Sequence, residues 1–190
     1  HASTPDYGVN AFVAASDLVL RLNELNREYG KEDPIFDPPV STFSPTKKEA
    51  NVPNVNTIPG DDIFYLDCRI LPVIDLDDVL ARIQEIIRDV EKKYGVQIAF
   101  TTIQRASSPP TPADTPIVRH LKEALTRVYN IEGKEMGIGG GTVAAPLRKK
   151  GYDTVVWSKI DETAHSQNEY CVIDNMIGDS KVMADIMLNG

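Results

Sequence analysis

Residues 63–95 read IFYLDCRILPVIDLDDVLARIQEIIRDVEKKYG, a strand pattern followed by a helix pattern. Residues 63–71 alternate apolar and polar side chains, which is typical of a strand with one face against a core. Residues 75–94 place apolar side chains three and four positions apart, and Gly95 follows, which predicts an amphipathic helix. The stretch therefore indicates a sheet layer covered by a helix layer.

The sequence on both sides of this stretch extends the same layered pattern. Residues 8–28 have helical apolar spacing, residues 40–46 form a short extended piece, and residues 96–104 are rich in β-branched side chains. The order α-β-β-α-β is that of a ferredoxin-like α/β sandwich without its first strand. We expect an α+β domain over residues 1–105.

A second segment begins after the Pro-rich stretch ASSPPTPA at residues 106–113. Its patterns predict a helix at 115–129, a glycine loop at 137–141, a helix at 143–150, a strand buried on both faces at 153–157 and a helix at 173–188. These elements are too few to cover both faces of a sheet. We expect residues 106–190 to form an incomplete α/β segment.

The composition narrows the class of protein. The 190 residues include 42% hydrophobic and 25% charged residues and carry a net charge of −8, as in a water-soluble globular protein. Such an acidic surface disfavours nucleic acid and anionic membranes as partners. Cys68 and Cys171 lie in apolar contexts, so both are expected to be buried, free thiols in a reducing cytoplasm.

The first residue is His1, with neither a methionine nor a signal peptide in front of it. Both predicted segments also lack elements on their N-terminal side. We therefore expect that an upstream part of the protein is missing from this sequence.

Two features could carry chemistry. His165 follows the predicted strand at 153–157, where α/β proteins commonly bind ligands; it is either a metal ligand or a plain hydrogen-bonded loop residue. The glycine loop is either a carboxylate-binding loop or a tight turn. No His-Glu-x-x-His or Cys-x-x-Cys pattern occurs, so the chain alone is not expected to build a complete metal site.

Four motifs occur in a fixed order along the chain. They are His1-Ala2-Ser3-x-Pro5-x-x-Gly8-x-Asn10-Ala11, then Asn56-x-Ile58-Pro59-Gly60 with Asp67-x-Arg69, then Gly140-Gly141-Thr142, and finally Ala164-His165-x-x-Asn168-Glu169. Together they resemble the dinuclear metallohydrolase family of acetylornithine deacetylase, succinyl-diaminopimelate desuccinylase, aminoacylase and glutamate carboxypeptidase. The resemblance implies a lid, or dimerisation, domain followed by the C-terminal part of a catalytic domain.

The resemblance also implies a role for particular residues. His165 corresponds to a ligand of one of two zinc ions, with cobalt or manganese as other possible metals. His1 corresponds to a lid histidine that reaches the partner subunit's active site and stabilises the oxyanion. The substrate-contacting positions are Asn56, Arg69, Gly141 and Thr142, with Arg69 on a carboxylate.

The function implied is metal-dependent hydrolysis of the amide bond in N-acyl amino acids or small peptides, by a homodimer joined through the lid. The missing N-terminal catalytic half would supply the other metal ligands, so no zinc is expected to bind tightly to the isolated chain. The alternative is a non-catalytic dimerisation or substrate-binding module. A third interpretation is an unrelated α+β binding protein with an anion-binding loop.

Overall fold

The computed structural model describes all of residues 1–190. The elements are α1 (Ala11–Asn23), α2 (Leu25–Glu28), β1 (Phe36–Asp37), β2 (Thr42–Lys48), β3 (Phe64–Arg69), α3 (Leu76–Tyr94), α4 (Pro116–Tyr129), β4 (Gly137–Ile138), α5 (Ala144–Lys149) and α6 (Ile173–Asn189). The chain divides into two compact units. Unit 1 comprises residues 1–105 with 137–140, and unit 2 comprises residues 106–136 with 141–190.

Unit 1 packs helices on a two-stranded antiparallel sheet of β2 and β3. One hydrophobic core joins these elements, because β3 directs alternate side chains toward it, as the strand pattern predicts. Its buried members are Ala14, Leu18, Leu22, Leu25, Phe43, Val79, Ile83, Ile86, Ile87 and Val90. The side chain of Asn26 also pairs with Phe43 like a neighbouring strand, accepting from its N–H and donating to its carbonyl, both at 2.9 Å.

Helix α3 has the ends that its sequence predicts. The carboxylate of Asp75 accepts a hydrogen bond from the Asp77 N–H at 2.8 Å, which caps the first turn. Gly95 ends the helix at φ 66°, a left-handed conformation that glycine adopts without a Cβ penalty. Acidic side chains in the first turn and basic ones in the last complement the helix dipole.

Unit 2 packs α4 against α6. Its fully buried cluster contains Ala124, Leu125 and Val182, with Tyr129 and Trp157 packed at the edge. The carboxylate of Asp179 accepts hydrogen bonds from the hydroxyl of Tyr129, the indole N–H of Trp157 and the N–H of Lys159, all at 3.0 Å. Polar contacts at one carboxylate therefore fix α6 to α4 and to the segment that follows residue 156.

The strand predicted at residues 96–104 is wrong, since no strand forms there. Val96 and Ile98 do pack against the core of unit 1. No neighbouring strand takes up the backbone hydrogen bonds, and the N–H of Ile98 donates instead to the carboxylate of Glu91 at 2.8 Å. A composition rich in β-branched side chains favours extended backbone, but it does not determine whether another strand pairs with it.

The buried strand predicted at residues 153–157 is also wrong. The segment joins no sheet, and Val156 is 50% exposed. Without strands on either side, only part of its apolar surface is covered, chiefly at Trp157. Cys171 is exposed rather than buried, whereas Cys68 packs against the core of unit 1 as expected.

The mixed helix and strand character of the chain agrees with the expected α+β class. Two of the expected strands pair in unit 1, while β1 and β4 form a separate short parallel pair. No helix combines the length and the hydropathy needed to cross a membrane.

Candidate functional site

His1 lies at the surface with one ring nitrogen already engaged. The N–H of Ser3 donates to its Nδ1 at 3.1 Å, and the Ser3 hydroxyl lies 2.8 Å from the same atom. A backbone N–H can only donate, so Nδ1 acts as an acceptor and the proton of the neutral ring is assigned to Nε2. The Nε2–H is therefore the group that His1 presents to a ligand.

The structure brings Asn56 next to the His1 segment. The N–H of Ala2 donates to the carbonyl of Asn56 at 2.9 Å, and the N–H of Ala11 donates to the carbonyl of Pro59 at 3.1 Å. The second and first motifs therefore lie side by side within unit 1, and the side chain of Asn56 is exposed.

Arg69 is held by a fork of two hydrogen bonds. Its Nε and Nη2 donate to the two carboxylate oxygens of Asp67 at 2.5 and 2.8 Å. Its Nη1 donates to the carbonyl of Gly139 at 3.0 Å. The hydrogen bond and charge of Asp67 raise the pKa of Arg69, so the guanidinium remains charged under all physiological conditions.

The glycine loop begins inside unit 1. Gly137 pairs in parallel with Phe36, and a Cβ at this position would overlap the Phe36 ring, so the close approach requires glycine. Gly141 and Thr142 belong to unit 2, where the carbonyl of Thr142 accepts from the N–H of Ala145 at 3.2 Å as α5 starts. Gly141 is exposed and Thr142 is half-buried.

His165 lies in a compact loop of unit 2 with an uncommon backbone. His165 and Asn168 have φ of 61° and 58°, in the left-handed region that few non-glycine residues adopt. The carboxylate of Glu169 accepts from the backbone N–H of His165 at 3.1 Å, so it fixes the main chain and not the ring. The exposed imidazole is left free for another partner.

The side chains of the types that bind metal ions are not clustered in the structure. No group of three or more His, Cys, Asp or Glu side chains lies close enough together to hold a metal ion. A zinc centre uses about four ligands, of which three come from protein even in a catalytic site. His165 fits the chemistry of one ligand, but the remaining donors are not beside it.

Two of the contacts around Arg69 were not anticipated from the sequence. The contact with Asp67 could have been predicted, because residues two positions apart on a strand direct their side chains to the same face. The contact with Gly139 could not have been predicted from sequence spacing, because 70 positions separate the two residues. Cys68 lies between the members of the ion pair but is no nucleophile, because burial raises the pKa of its thiol to about 11.

Comparison with known sequences settles the family. Residues 1–95 match the sequence profile of the peptidase dimerisation domain of M20 proteins. The chain belongs to the M20 metallohydrolase family. The family resemblance predicted from the motifs is therefore confirmed.

Several M20 relatives resemble the chain beyond this domain. An uncharacterized metallohydrolase of Methanococcus maripaludis is 38% identical, over 98% of this chain and 48% of the relative. Acetylornithine deacetylase of Aliivibrio salmonicida is 29% identical over 90% of this chain and 44% of its own length. The chain thus spans about half the length of the curated relatives it matches.

Solved structures show the same fold. A candidate amidohydrolase/peptidase from Burkholderia cenocepacia superposes with a TM-score of 0.66 over 99% of this chain and 44% of its own, at 18% identity. An M20 family metallo-carboxypeptidase from Sulfolobus solfataricus superposes with a TM-score of 0.56 over 90% of this chain and 43% of its own, at 16% identity.

Proposed function

We propose that the chain forms part of a metal-dependent hydrolase that cleaves the amide bond of N-acyl amino acids or small peptides. The observation that carries this proposal is the match of residues 1–95 to the peptidase dimerisation domain, within a chain that matches metallohydrolases over nearly its whole length. Residues 1–105 would be a ferredoxin-like lid, and residues 106–190 would be the C-terminal segment of the catalytic domain.

The proposed metal site is shared between this chain and other parts of the protein. His165 would provide one ligand to one of two zinc ions, with cobalt or manganese as other possible metals, while the remaining ligands come from outside residues 1–190. Such ions, when bound, polarise the scissile carbonyl and lower the pKa of a bound water. The free imidazole and the fixed main chain of His165 support this role.

The substrate side of the site would use residues from three of the motifs. Arg69 would bind a substrate carboxylate, Gly141 and Thr142 would bind its other polar atoms, and Asn56 would contact the substrate beside His1. The Nε2–H of His1 would donate to the oxyanion that forms on the scissile carbonyl, acting in the active site of the partner subunit. Ser3 supports this role because it occupies Nδ1.

Hydrolysis of N-acetyl and N-succinyl amino acids by the complete hydrolase, measured with and without a chelator, tests the function. We expect chelator-sensitive turnover, and His1→Ala should lower kcat by about a hundredfold to a thousandfold, as loss of one oxyanion donor does. Metal-independent activity, or none on any amide of this class, would contradict the proposal.

Mixing two inactive variants tests the action of His1 across the dimer. A heterodimer of His1→Ala and His165→Ala subunits regains one complete site only if His1 acts in trans. We expect random exchange of subunits to restore about a quarter of the wild-type activity. No recovery in a mixture shown to contain heterodimers would mean that His1 acts within its own subunit.

The proposed dimer surface is an apolar groove between α1 and β2. Phe12, Leu20, Pro45 and Phe64 line it, and Leu20 is 68% exposed. Leu20→Lys should convert the dimer to monomer in sedimentation at micromolar concentration, because a charge would be buried without a partner. Val73→Lys, at another exposed apolar position of unit 1, is the matched control and should leave the dimer intact.

A second candidate is a dimerisation or substrate-binding module without activity of its own. The absence of a three-residue metal-binding group within the described chain favours it for residues 1–190 taken alone. The two candidates differ in one result. Turnover by the complete hydrolase supports the first, and dimerisation without turnover in any assembly supports the second.

A further inference from the structure

Arg69 makes contacts that connect two stretches of unit 1 far apart in sequence. Asp67 takes the side-on pair of N–H groups, on Nε and Nη2, and the carbonyl of Gly139 takes one N–H of Nη1. The side chains of Arg69 and Asp67 are about half exposed, at 47% and 40%. The pair is therefore accessible to a ligand while its geometry is fixed from two sides.

The segment 137–140 is attached to unit 1 by more than this one hydrogen bond. The N–H of Gly137 donates to the carbonyl of Ile35 at 2.7 Å, and Gly137 and Ile138 pair with Phe36 and Asp37. The Phe36 ring occupies the space that a side chain at position 137 would need. The hydrogen bond that Arg69 donates to Gly139 adds a side-chain contact to these backbone ones.

We propose that the Asp67–Arg69 ion pair is a positioning device that docks the segment 137–140 and orients Arg69 for a substrate carboxylate. The inference rests on the proposed function, which assigns the carboxylate to Arg69, and it adds Asp67 as a positioning residue. Gly141 follows the docked segment by one peptide bond.

The number of N–H donors on the guanidinium allows Arg69 both to hold the segment 137–140 and to bind a carboxylate. Arginine has five N–H groups. Asp67 and Gly139 use three of them, which leaves one on Nη1 and one on Nη2. A carboxylate that accepts from both terminal nitrogens would satisfy all five donors. Lysine at this position could not provide the same fixed fork, because its ammonium is a point charge on a flexible chain.

Hydrogen exchange of the chain, read at the amides of residues 137–140, tests the docking. Arg69→Lys should speed exchange there by about tenfold, the effect of losing one charge-assisted hydrogen bond at a partly exposed site. Asp67→Asn should have a smaller effect in the same direction, since the amide cannot accept both N–H groups. Gly137→Ala is the positive control, because its Cβ displaces the Phe36 ring.

Asp77→Asn is the matched negative control. It breaks another exposed Asp–Arg pair of unit 1, with Arg105 at 2.8 Å, and should leave exchange at 137–140 unchanged. The amide of Val90, whose residue is fully buried, reports in every variant that the core of unit 1 remains folded. Unchanged exchange at 137–140 in Arg69→Lys would overturn the docking.

The NMR signal of the Arg69 Nε–H distinguishes orientation from general stabilisation. While Asp67 accepts from it, this proton should exchange slowly with water and give a sharp resonance, which Asp67→Ala should broaden because no acceptor remains at position 67. A sharp signal that persists in Asp67→Ala would overturn the role of Asp67. Neither measurement involves hydrolysis, so a failed activity assay would count against the proposed function and leave this test intact.

Discussion

The two units are held together in different ways. Unit 1 has ten buried apolar residues in one cluster, nine from its helices and one, Phe43, from β2. Unit 2 has three, and it relies on carboxylates that tie helices together: Asp179, and Asp185 with its pair to Arg127. Burial dominates the stability of the first unit, whereas hydrogen bonds to a few acidic groups carry a larger share in the second.

The largest expected effect comes from the same truncation made in each unit. Leu25→Ala in unit 1 should lower the free energy of unfolding by about 3–5 kcal/mol, and Leu125→Ala in unit 2 by about 2–3 kcal/mol. Both side chains are almost fully buried, at 0% and 2% exposed. The expected loss is greater in unit 1 because the larger cluster surrounds the removed side chain more completely, so the truncation leaves a more enclosed cavity.

Denaturant unfolding with hydrogen exchange resolved by residue measures both changes. Trp157, the only tryptophan, adds a fluorescence signal specific to unit 2. An equal loss of unfolding free energy in Leu25→Ala and Leu125→Ala would show that the two cores are equivalent in spite of their different size.

Removal of the Asp179 carboxylate should have the next largest effect. Asp179→Ala leaves the N–H groups of Trp157 and Lys159 without their acceptor, while the hydroxyl of Tyr129 keeps the carbonyl of Asn175 at 3.1 Å. The loss should cost about 1–3 kcal/mol and shift the emission of Trp157 to longer wavelength. Asp161→Ala, which removes an acceptor of only Tyr170, is the control for losing one carboxylate. Similar losses in both variants would contradict the special role of Asp179.

The smallest expected effects concern pH, and they involve one carboxylate in unit 1 and one tyrosine in unit 2. Hydrogen bonds from Lys93 and Arg21 lower the pKa of Asp17, although burial opposes them. This contribution is present above the unfolded pKa of Asp17 and is lost as pH falls through the folded value. Unit 1 should therefore lose stability in acid, and Asp17→Asn should make that acid limb shallower in thermal unfolding.

Tyr129 of unit 2 should contribute a response at alkaline pH. Burial and the hydrogen bond to Asp179 raise the pKa of Tyr129. The contribution of Tyr129 is full below the unfolded tyrosine pKa and is lost as pH rises through the folded value. Tyr129→Phe should flatten this alkaline loss, as followed by Trp157 fluorescence. An alkaline limb identical to that of the unmodified protein would contradict the assignment.

Elements with local start and stop signals were predicted well from the sequence. Helix α3 runs between the cap Asp75 and Gly95, and α4 starts after Thr115 with Pro116 in its first turn, close to the predicted bounds. The strands at 96–104 and 153–157 were predicted wrongly. A β-branched composition reflects the preference of individual side chains for extended backbone, and it does not identify a neighbouring strand to pair with. Cys171 is exposed, and the sheet expected around residues 153–157, which could have covered it, does not form.

The site could be predicted only as far as its motifs extend. The order of the motifs identified the family, and the spacing in Asp67-x-Arg69 places both side chains on one face. The contact of Arg69 with Gly139 joins distant parts of the sequence, and the left-handed φ of His165 depends on its loop. The roles of His1, Asn56, Arg69, Gly141, Thr142 and His165 stay predictions.

Metal content is the most direct test of the central claim that His165 shares an ion with groups outside this chain. Elemental analysis of the complete hydrolase should show that His165→Ala loses metal, while His120→Ala, a histidine on α4, retains it. Residues 1–190 purified alone should hold no stoichiometric zinc. Full zinc occupancy in the isolated chain, or unchanged metal in His165→Ala, would contradict the account.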